Sequence, residues 1–149
     1  MRLDEALNGI LEASADLLRE AAVVKGLLEG VTTVVRGDRA RPTPRPPSIW
    51  IYPEGATPNH RAMSIREEWD LSLILVAQVQ NDNPDEGYQQ VTALAAKARS
   101  VMLRDRTLGM PELVRDVKSG RFEPSGPWHR EGNMFGAGAV VVVTFITNE

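Results

Sequence analysis

The stretch WDLSLILVAQVQNDNPDEGYQQVTALAAKARSVMLRDRTLG, residues 69–109, contains the clearest structural signals in the chain. Every odd position from Trp69 to Val79 is apolar. Alternation with period two sends such side chains to one face of a β-strand. The even positions hold only a short apolar patch, Ile74 and Val76, between polar residues. The stretch therefore predicts a long strand with one fully apolar face and one partly apolar face.

A helix signal follows this strand. Asn83 stands at the N-cap position, Pro84 stands where its missing N–H costs no hydrogen bond, and Glu86 stands at N3. Apolar residues then recur at the spacing of a core-facing helix: Tyr88, Val91, Leu94, Ala95, Ala98, Val101 and Met102. The pattern predicts a helix over residues 84–103, followed by a short irregular exit that ends at Gly109.

The flanking sequence predicts one more helix and further strands. Apolar residues at steps of three and four predict a helix over residues 2–29, which is either laid on a sheet or, less often for this length, part of a coiled coil. Strands are predicted at residues 31–35, 48–52, 113–118 and 137–147. The 48–52 strand is expected to form a hairpin with the strand that begins at Trp69. We expect an α/β (α+β) fold, with two helices packed on a mixed, mainly antiparallel sheet of about 4–5 strands.

Length and composition bound the organisation of the chain. With 149 residues and 42% hydrophobic content, a single domain over residues 1–149 is expected. Long loops are predicted at about residues 37–48, 53–63 and 119–135, where proline and glycine accumulate. The net charge of −3 is mild and favours neither a nucleic-acid binder nor an acidic tail. No signal-peptide pattern is present, and no run approaches the roughly 20 apolar residues of a membrane span, so a soluble protein is expected.

The sequence offers little catalytic chemistry. It has no cysteine, which excludes disulfides, thiolate metal sites and thiol catalysis. Its two histidines, His60 and His129, lie in predicted loops, and no HExxH, serine elbow or glycine-rich phosphate loop occurs. The acidic residues Glu67, Glu68 and Asp70 diverge on alternate faces of a strand. We therefore expect no enzyme activity, no cofactor and no metal site.

The terminal strand is apolar on both of its faces. Such a strand is either central in its sheet or covered by another subunit. We predict a subunit interface formed by the partly apolar face: Ile74, Val76, Val140 and Val142. The alternative is that the N-terminal helix covers this face within one chain.

Two loops have the composition of contact surfaces. Residues 39–47, RARPTPRPP, hold four prolines and three arginines, so an extended path is predicted. The segment is either a solvated connector or a basic arm for an acidic partner surface or phosphate. The residues predicted to contact partners come from this loop and from the 119–135 loop: Arg39, Arg41, Arg45, Phe122, Trp128 and His129.

The order of these elements resembles the tail terminator, or tail-completion, proteins of tailed bacteriophages, a family of head–tail joining proteins. The resemblance is most specific from Glu68 to Val117: an apolar strand, an Asn-Pro-Asp-Glu helix start, and an L-x-x-x-x-L-G exit that leads into a strand. The chain departs from the family in Met110-Pro111, where another small residue often follows Leu-Gly, and in its long proline-rich loop. Both the terminator itself and a related head–tail joining protein remain open.

The resemblance implies a structural virion protein, assembled in the host cytoplasm. Such proteins form a ring, usually a hexamer, at the head-proximal end of the tail tube, where the ring stops tube polymerisation and docks to the neck connector. DNA passes through the lumen without sequence-specific binding, and no membrane is involved. If the arginine-rich loop of residues 39–47 lined this lumen, it would bind the phosphates of the DNA and hinder its passage. We therefore expect this loop to face protein.

One alternative comes from a different functional class. A small-molecule-binding or regulatory α/β domain would form a dimer through a sheet edge. Its mark would be a pocket with converging polar groups, which the sequence does not indicate.

Overall fold

The computed structural model describes residues 1–23, 28, 30–31, 33–37, 45–59, 66–126 and 130–148. These residues form two helices and six strands. In chain order the elements are α1 (Leu3–Val23), β1 (Thr33–Arg36), β2 (Ser48–Asn59), β3 (Arg66–Gln80), α2 (Pro84–Leu103), β4 (Val114–Glu123), β5 (Arg130–Glu131) and β6 (Met134–Asn148).

The strands form one mixed sheet in the order β1-β2-β3-β6-β4, and the two-residue strand β5 also pairs with β6. β1 runs parallel to β2, whereas the other pairs are antiparallel. β3 and β6 lie at the centre of the sheet. The predicted α+β class and mainly antiparallel sheet are confirmed, as is the hairpin that joins the 48–52 segment to β3.

Both helices pack on the same face of the sheet. One buried cluster joins Ile10 and Leu18 of α1, Leu73 of β3, and Val101 and Met102 of α2. A second cluster places Val91 and Ala95 of α2 with Val79 and Phe135. The odd row of β3 therefore lies under the helices, as predicted. The alternative placement of the N-terminal helix on the opposite face is wrong, and so is the coiled-coil interpretation, because the apolar stripe of α1 is buried against the sheet.

The start of α2 follows the sequence signal closely. Asn83 has extended dihedrals, φ −93° and ψ 113°, and its side-chain oxygen accepts hydrogen bonds from the backbone N–H groups of Asp85 at 3.1 Å and Glu86 at 3.4 Å. Gly87 then lies against the ring of Phe135 so closely that a Cβ atom at this position would collide with it. The first turn of α2 is thus capped by its own sequence and held to β6 by one aromatic ring.

The exit from α2 uses two successive residues with left-handed backbone, Leu108 (φ 51°) and Gly109 (φ 71°). The carboxylate of Asp105 stabilises this turn, because it accepts hydrogen bonds from the backbone N–H and the hydroxyl of Thr107, both at 3.0 Å. These hydrogen bonds hold the pKa of Asp105 below its ordinary value. The L-x-x-x-x-L-G segment is therefore a specific turn that returns the chain to the sheet.

Two predicted loops are partly strand. Residues 53–59 continue β2, and residues 119–123 continue β4. Prolines 53 and 58 suggested a loop, but β1 pairs only with Ser48–Ile51, so the later part of β2 is an edge strand, where proline is tolerated. β4 also lies at an edge and absorbs its glycine through shifts in register.

Other observed boundaries differ from the predicted boundaries by a few residues. α1 ends at Val23, with residues 24–27 and 29 of the predicted helix outside the described part, and the strand predicted at residues 31–35 is observed at Thr33–Arg36. Neither described helix combines the length and apolar character that crossing a membrane requires.

Candidate functional site

The sheet face opposite the helices carries an apolar patch, which we call the open face. It forms because β2, β3 and β6 each alternate, so that the residues between the buried core positions point away from α1 and α2. Neither α1 nor α2 packs on it. Its apolar members are Trp50, Tyr52, Ile74, Val76, Val140 and Val142.

The strand register brings these side chains together. Tyr52, Ile74 and Val140 lie side by side across three strands, and Trp50 lies beside Val76 in the next row. Since neighbouring strands are about 4.8 Å apart, side chains of one row are in contact range. The four residues predicted as a subunit interface therefore do share one contiguous patch.

The four predicted residues are not equally accessible. Ile74, Val76 and Val142 are partly exposed, whereas Val140 is only 8% exposed. Val140 is covered because β4 passes close to it: a Cβ atom on Gly120 would lie 3.2 Å from the Val140 Cγ1 atom. Val140 therefore forms the floor of the patch, and its neighbours offer the contact area.

Two aromatic residues belong to the patch and were not among the predicted site residues. The rings of Trp50 and Tyr52 stack with centroids 6.0 Å apart, and the Tyr52 ring lies directly over Gly37. Burial raises the pKa of the Tyr52 hydroxyl. The Trp50 indole nitrogen is buried and has no hydrogen-bond partner among the described residues. The sequence could have indicated both rings. Ile49 and Ile51 face the core, so by alternation Trp50 and Tyr52 face the opposite side of the sheet.

Polar groups border the patch at one end, in the row formed by Asp70, Thr144 and Asp116, and they are paired. Asp70 accepts hydrogen bonds from the Thr144 hydroxyl at 2.6 Å and from the Asn59 side chain at 3.3 Å. Asp116 accepts a hydrogen bond from the Arg106 guanidinium at 3.0 Å, which holds the pKa of this carboxyl below its ordinary value. An apolar patch bordered by paired polar groups is a feature of protein–protein interfaces.

The structure describes only two of the six residues predicted to contact partners, Phe122 and Arg45. Phe122 is not in a loop: it lies on β4, is half-buried, and packs against the cluster that contains Phe135. Its placement in a loop is wrong, because it pairs in the register with the core residue Ala139, whereas its role as a contact residue stays a prediction. Arg45 is exposed, directly before the cis Pro46–Pro47 bond. The remaining four lie outside the described residues: Arg39, Arg41, Trp128 and His129.

The described residues show no cluster of three or more histidine or acidic side chains suited to a metal ion. An open groove of about 570 Å³ lies at one end of the sheet, lined by residues that include Asn81, Asp82, Gln90 and Asn133. Its polar groups are bonded to each other: Asn81 donates to Gln90 at 3.1 Å, and Asn133 donates to Asp82 at 3.2 Å. Side chains paired in this way do not converge on a small ligand.

Comparisons with known proteins indicate the fold. No family model matches the sequence, and no curated protein matches it. Among solved structures, the chain is similar to a protein in the virion of a native gene transfer agent particle, with a TM-score of 0.62 and 12% sequence identity. The match covers 92% of this chain and 94% of the other. At this identity the likeness establishes a shared fold, and it extends over nearly the whole of both chains.

Proposed function

We propose that this chain is a structural protein of a phage-like virion, and that it acts as a tail terminator. In this role it forms a hexameric ring at the head-proximal end of the tail tube, stops the tube from growing, and docks to the neck connector. The observation that carries the proposal is the fold shared, over nearly the full length of both chains, with a protein of the gene transfer agent virion.

The open face supports assembly into a ring. Its partly exposed members, among them Ile74, Val76 and Val142, lie on the side of the sheet away from α1 and α2. Burying one aliphatic side chain is worth roughly 1.5–3 kcal/mol when the burial is complete, so several such contacts stabilise an interface. In a hexameric ring this patch packs against a different surface of the next copy, and such a contact leaves no open filament when the rotation between copies closes.

The partners follow from this role. The two rims of the ring contact the tail tube protein and the neck connector, while DNA passes through the lumen without sequence-specific binding. The protein is not an enzyme in this role, since capping and docking require contact surfaces rather than a reactive group. Arg45 is exposed, and we expect the basic stretch of residues 39–45 to which it belongs to face protein and not the lumen.

The test is the assembly state of the purified protein, measured by native mass spectrometry and negative-stain electron microscopy. Closed hexameric rings are expected, and these rings should bind one end of tail tubes and prevent further addition of tube subunits. A dimer that binds a metabolite would favour the regulatory-domain alternative and overturn the proposal. A monomer at high concentration that also fails to cap tubes would overturn it as well.

A further inference from the structure

The β1–β2 side of the open face is buried, although both helices pack on the other face of the sheet. Val35 of β1 is 4% exposed and pairs in the register with Trp50, so both side chains point to the open face. Ser48 lies two residues before Trp50, on the same face, and is 0% exposed. The two helices therefore do not account for the burial of this side of the open face.

This buried area contains two polar atoms that lack a partner. The Ser48 hydroxyl oxygen and the Trp50 indole nitrogen are buried, and neither has a hydrogen-bond partner among the described residues. The indole N–H can only donate a hydrogen bond. Because a buried donor without an acceptor is costly, an acceptor is expected beside Trp50.

The strand directions indicate which part of the chain covers these residues. β3 and β4 are parallel, since each is antiparallel to β6, and α2 connects them across the face that the helices occupy. β1 and β2 are also parallel, run opposite to β3, and follow each other in the same direction across the sheet. Connections between parallel strands of one sheet are right-handed in about 98% of cases. Applied to both connections, this rule places them on opposite faces, so the connection from β1 to β2 is expected to cross the open face.

The opposite face has no room for this connection, because α1 already lies there. Val34 and Ile49 belong to the core cluster that includes α1, and the Arg36 guanidinium donates to Glu12 of α1 at 2.6 Å. A segment that crossed β1 and β2 on that face would have to displace the helix. Strand direction and helix packing therefore favour the same path, across the open face.

The ends and the length of the connection fit this path. It begins at Gly37, whose N–H donates to the Ile51 carbonyl at 2.7 Å and which lies against the ring of Tyr52. It ends at Ser48, which lies four residues of strand back, a distance of about 13 Å. Residues 38–47 can span about 33 Å when extended, and residues 38–44 among them lie outside the described part of the chain. The connection is thus long enough to pass over Trp50 and Tyr52.

The composition of the connection also suits the two rings. Residues 39–47 hold four prolines and three arginines. Proline-rich segments favour an extended helix in which the backbone carbonyls make no internal hydrogen bonds, and such segments dock on surfaces lined by aromatic side chains. Trp50 and Tyr52 offer such a surface, since their rings stack with centroids 6.0 Å apart. The free carbonyls of the segment are the kind of acceptor that the Trp50 indole lacks.

We infer that residues 38–44 dock on Trp50 and Tyr52 of the same chain, and that one of their backbone carbonyls accepts a hydrogen bond from the Trp50 indole N–H. The docked segment covers the β1–β2 side of the open face. The part of the open face that is left for a neighbouring copy then lies around Ile74, Val76 and Val142, with the arginine-rich segment at its margin. The inference goes beyond the proposed ring and does not depend on it, because it concerns a contact within one chain.

The test measures the distance from the segment to Trp50 by fluorescence quenching. Trp69→Phe with Trp128→Phe leaves Trp50 as the only tryptophan, and the chain has no natural cysteine that would compete for a label. A nitroxide attached to Thr43→Cys should quench Trp50 several-fold. The matched control is a nitroxide on Ser100→Cys, an exposed position of α2 on the other side of the sheet, which should leave the fluorescence unchanged. Absence of quenching from residue 43, or equal quenching from residue 100, would overturn the inference.

A mixing experiment identifies the chain that supplies the segment. Chains labelled at residue 43, with all three tryptophans replaced by phenylalanine, are mixed with unlabelled chains that retain only Trp50. The fluorescence should stay unchanged, because the segment docks on its own chain. Quenching in the mixture would show that the segment comes from a neighbouring copy and would refute the same-chain contact.

The contribution of the prolines is tested in the chain labelled at residue 43. Pro42→Gly with Pro44→Gly should restore the fluorescence of Trp50, whereas Pro111→Gly with Pro124→Gly, at two exposed prolines elsewhere, should not. If the first pair of substitutions leaves the quenching intact, the proline-rich segment is not held by the rings.

Circular dichroism melts establish that each variant is folded. Should the chain with a single tryptophan be unfolded, the same labels are placed in the chain with all its tryptophans and read by indole NMR signals: the Trp50 signal must broaden and that of Trp69, which faces the core side, must not. The opposite pattern would refute the inference. A protein that forms no ring would overturn the proposed function and leave this test intact, so the two failures are distinguishable.

Discussion

The open face makes a sharp prediction, because neighbouring residues of β3 point to opposite sides of the sheet. The double variant Ile74→Asp with Val142→Lys places two charges on the open face. Both positions are partly exposed in one chain, so the charges remain hydrated and the monomer should lose only about 1 kcal/mol of stability per substitution. In the ring, each charge would be taken out of water at every interface, which costs several kcal/mol per ion. The variant should therefore fold cooperatively but stay monomeric.

The matched control is Leu73→Asp, one position earlier in β3. Leu73 is 0% exposed and belongs to the core under the helices, so an unpaired carboxylate there should prevent folding. Circular dichroism melts and native mass spectrometry read out folding and assembly separately. If the double variant cannot fold as a monomer, the open face is internal core, and the ring contacts must lie in the loops. If it folds and still forms rings, the open face is not a subunit interface.

Three further predictions concern single positions. Arg36→Met removes the buried guanidinium that pairs with Glu12, and we expect the free energy of unfolding, measured by chemical denaturation, to fall by about 1–3 kcal/mol. The loss is smaller than for a fully buried pair because the Glu12 side chain is 39% exposed. An unchanged denaturation midpoint would show that the pair does not hold α1 to β1. Asn83→Ala removes the cap of α2 and should cost roughly 0.5–2 kcal/mol, whereas Asn83→Asp should retain most of the stability, and equal losses for both would contradict the capping role. Burial raises the pKa of Tyr52 above its ordinary value of 10.0, so its contribution to stability is fully present below pH 10 and is lost as the pH rises through the folded-state pKa. Denaturation midpoints measured across this range should fall less steeply in Tyr52→Phe, and identical slopes would refute the assignment.

Local signals in the sequence were sufficient for the central elements. The N-cap at Asn83 and the period-two row from Leu71 to Val79 both agree with the structure, because the same positions satisfy the local preference and the packing. The second half of β2 could not be predicted in this way. Pro53 and Pro58 disfavour a strand by local preference. They are tolerated because, among the described residues, no strand pairs with the β1 side of β2 after Ile51.

The candidate site was predicted in part for a similar reason. Ile74 and Val76 were identified from the alternation within their own strand. Their positions beside Tyr52 and Trp50 depend on the pairing of β2 with β3, which the alternation does not reveal. Phe122 was wrongly placed in a loop, because glycines and prolines lie near it, whereas pairing of β4 with β6 turns its ring toward the cluster that includes Val91 and Ala95 of α2. The periodicity of a strand assigns each residue to one face of the sheet, but only the pairing of strands shows which residues become neighbours on that face.

The long ladder between β3 and β6 also has a mechanical consequence. It joins 15 residue pairs, from Arg66↔Asn148 to Gln80↔Met134, without a shift in register. At about 3.3 Å per residue it is a ribbon roughly 46 Å long. Its hydrogen bonds run perpendicular to the strands, so a pull directed along the ribbon, from the Gln80 end of β3 to the Asn148 end of β6, loads all of them together. A pull across the ribbon would instead open them one after another. The chain should therefore resist force far better along this axis than across it.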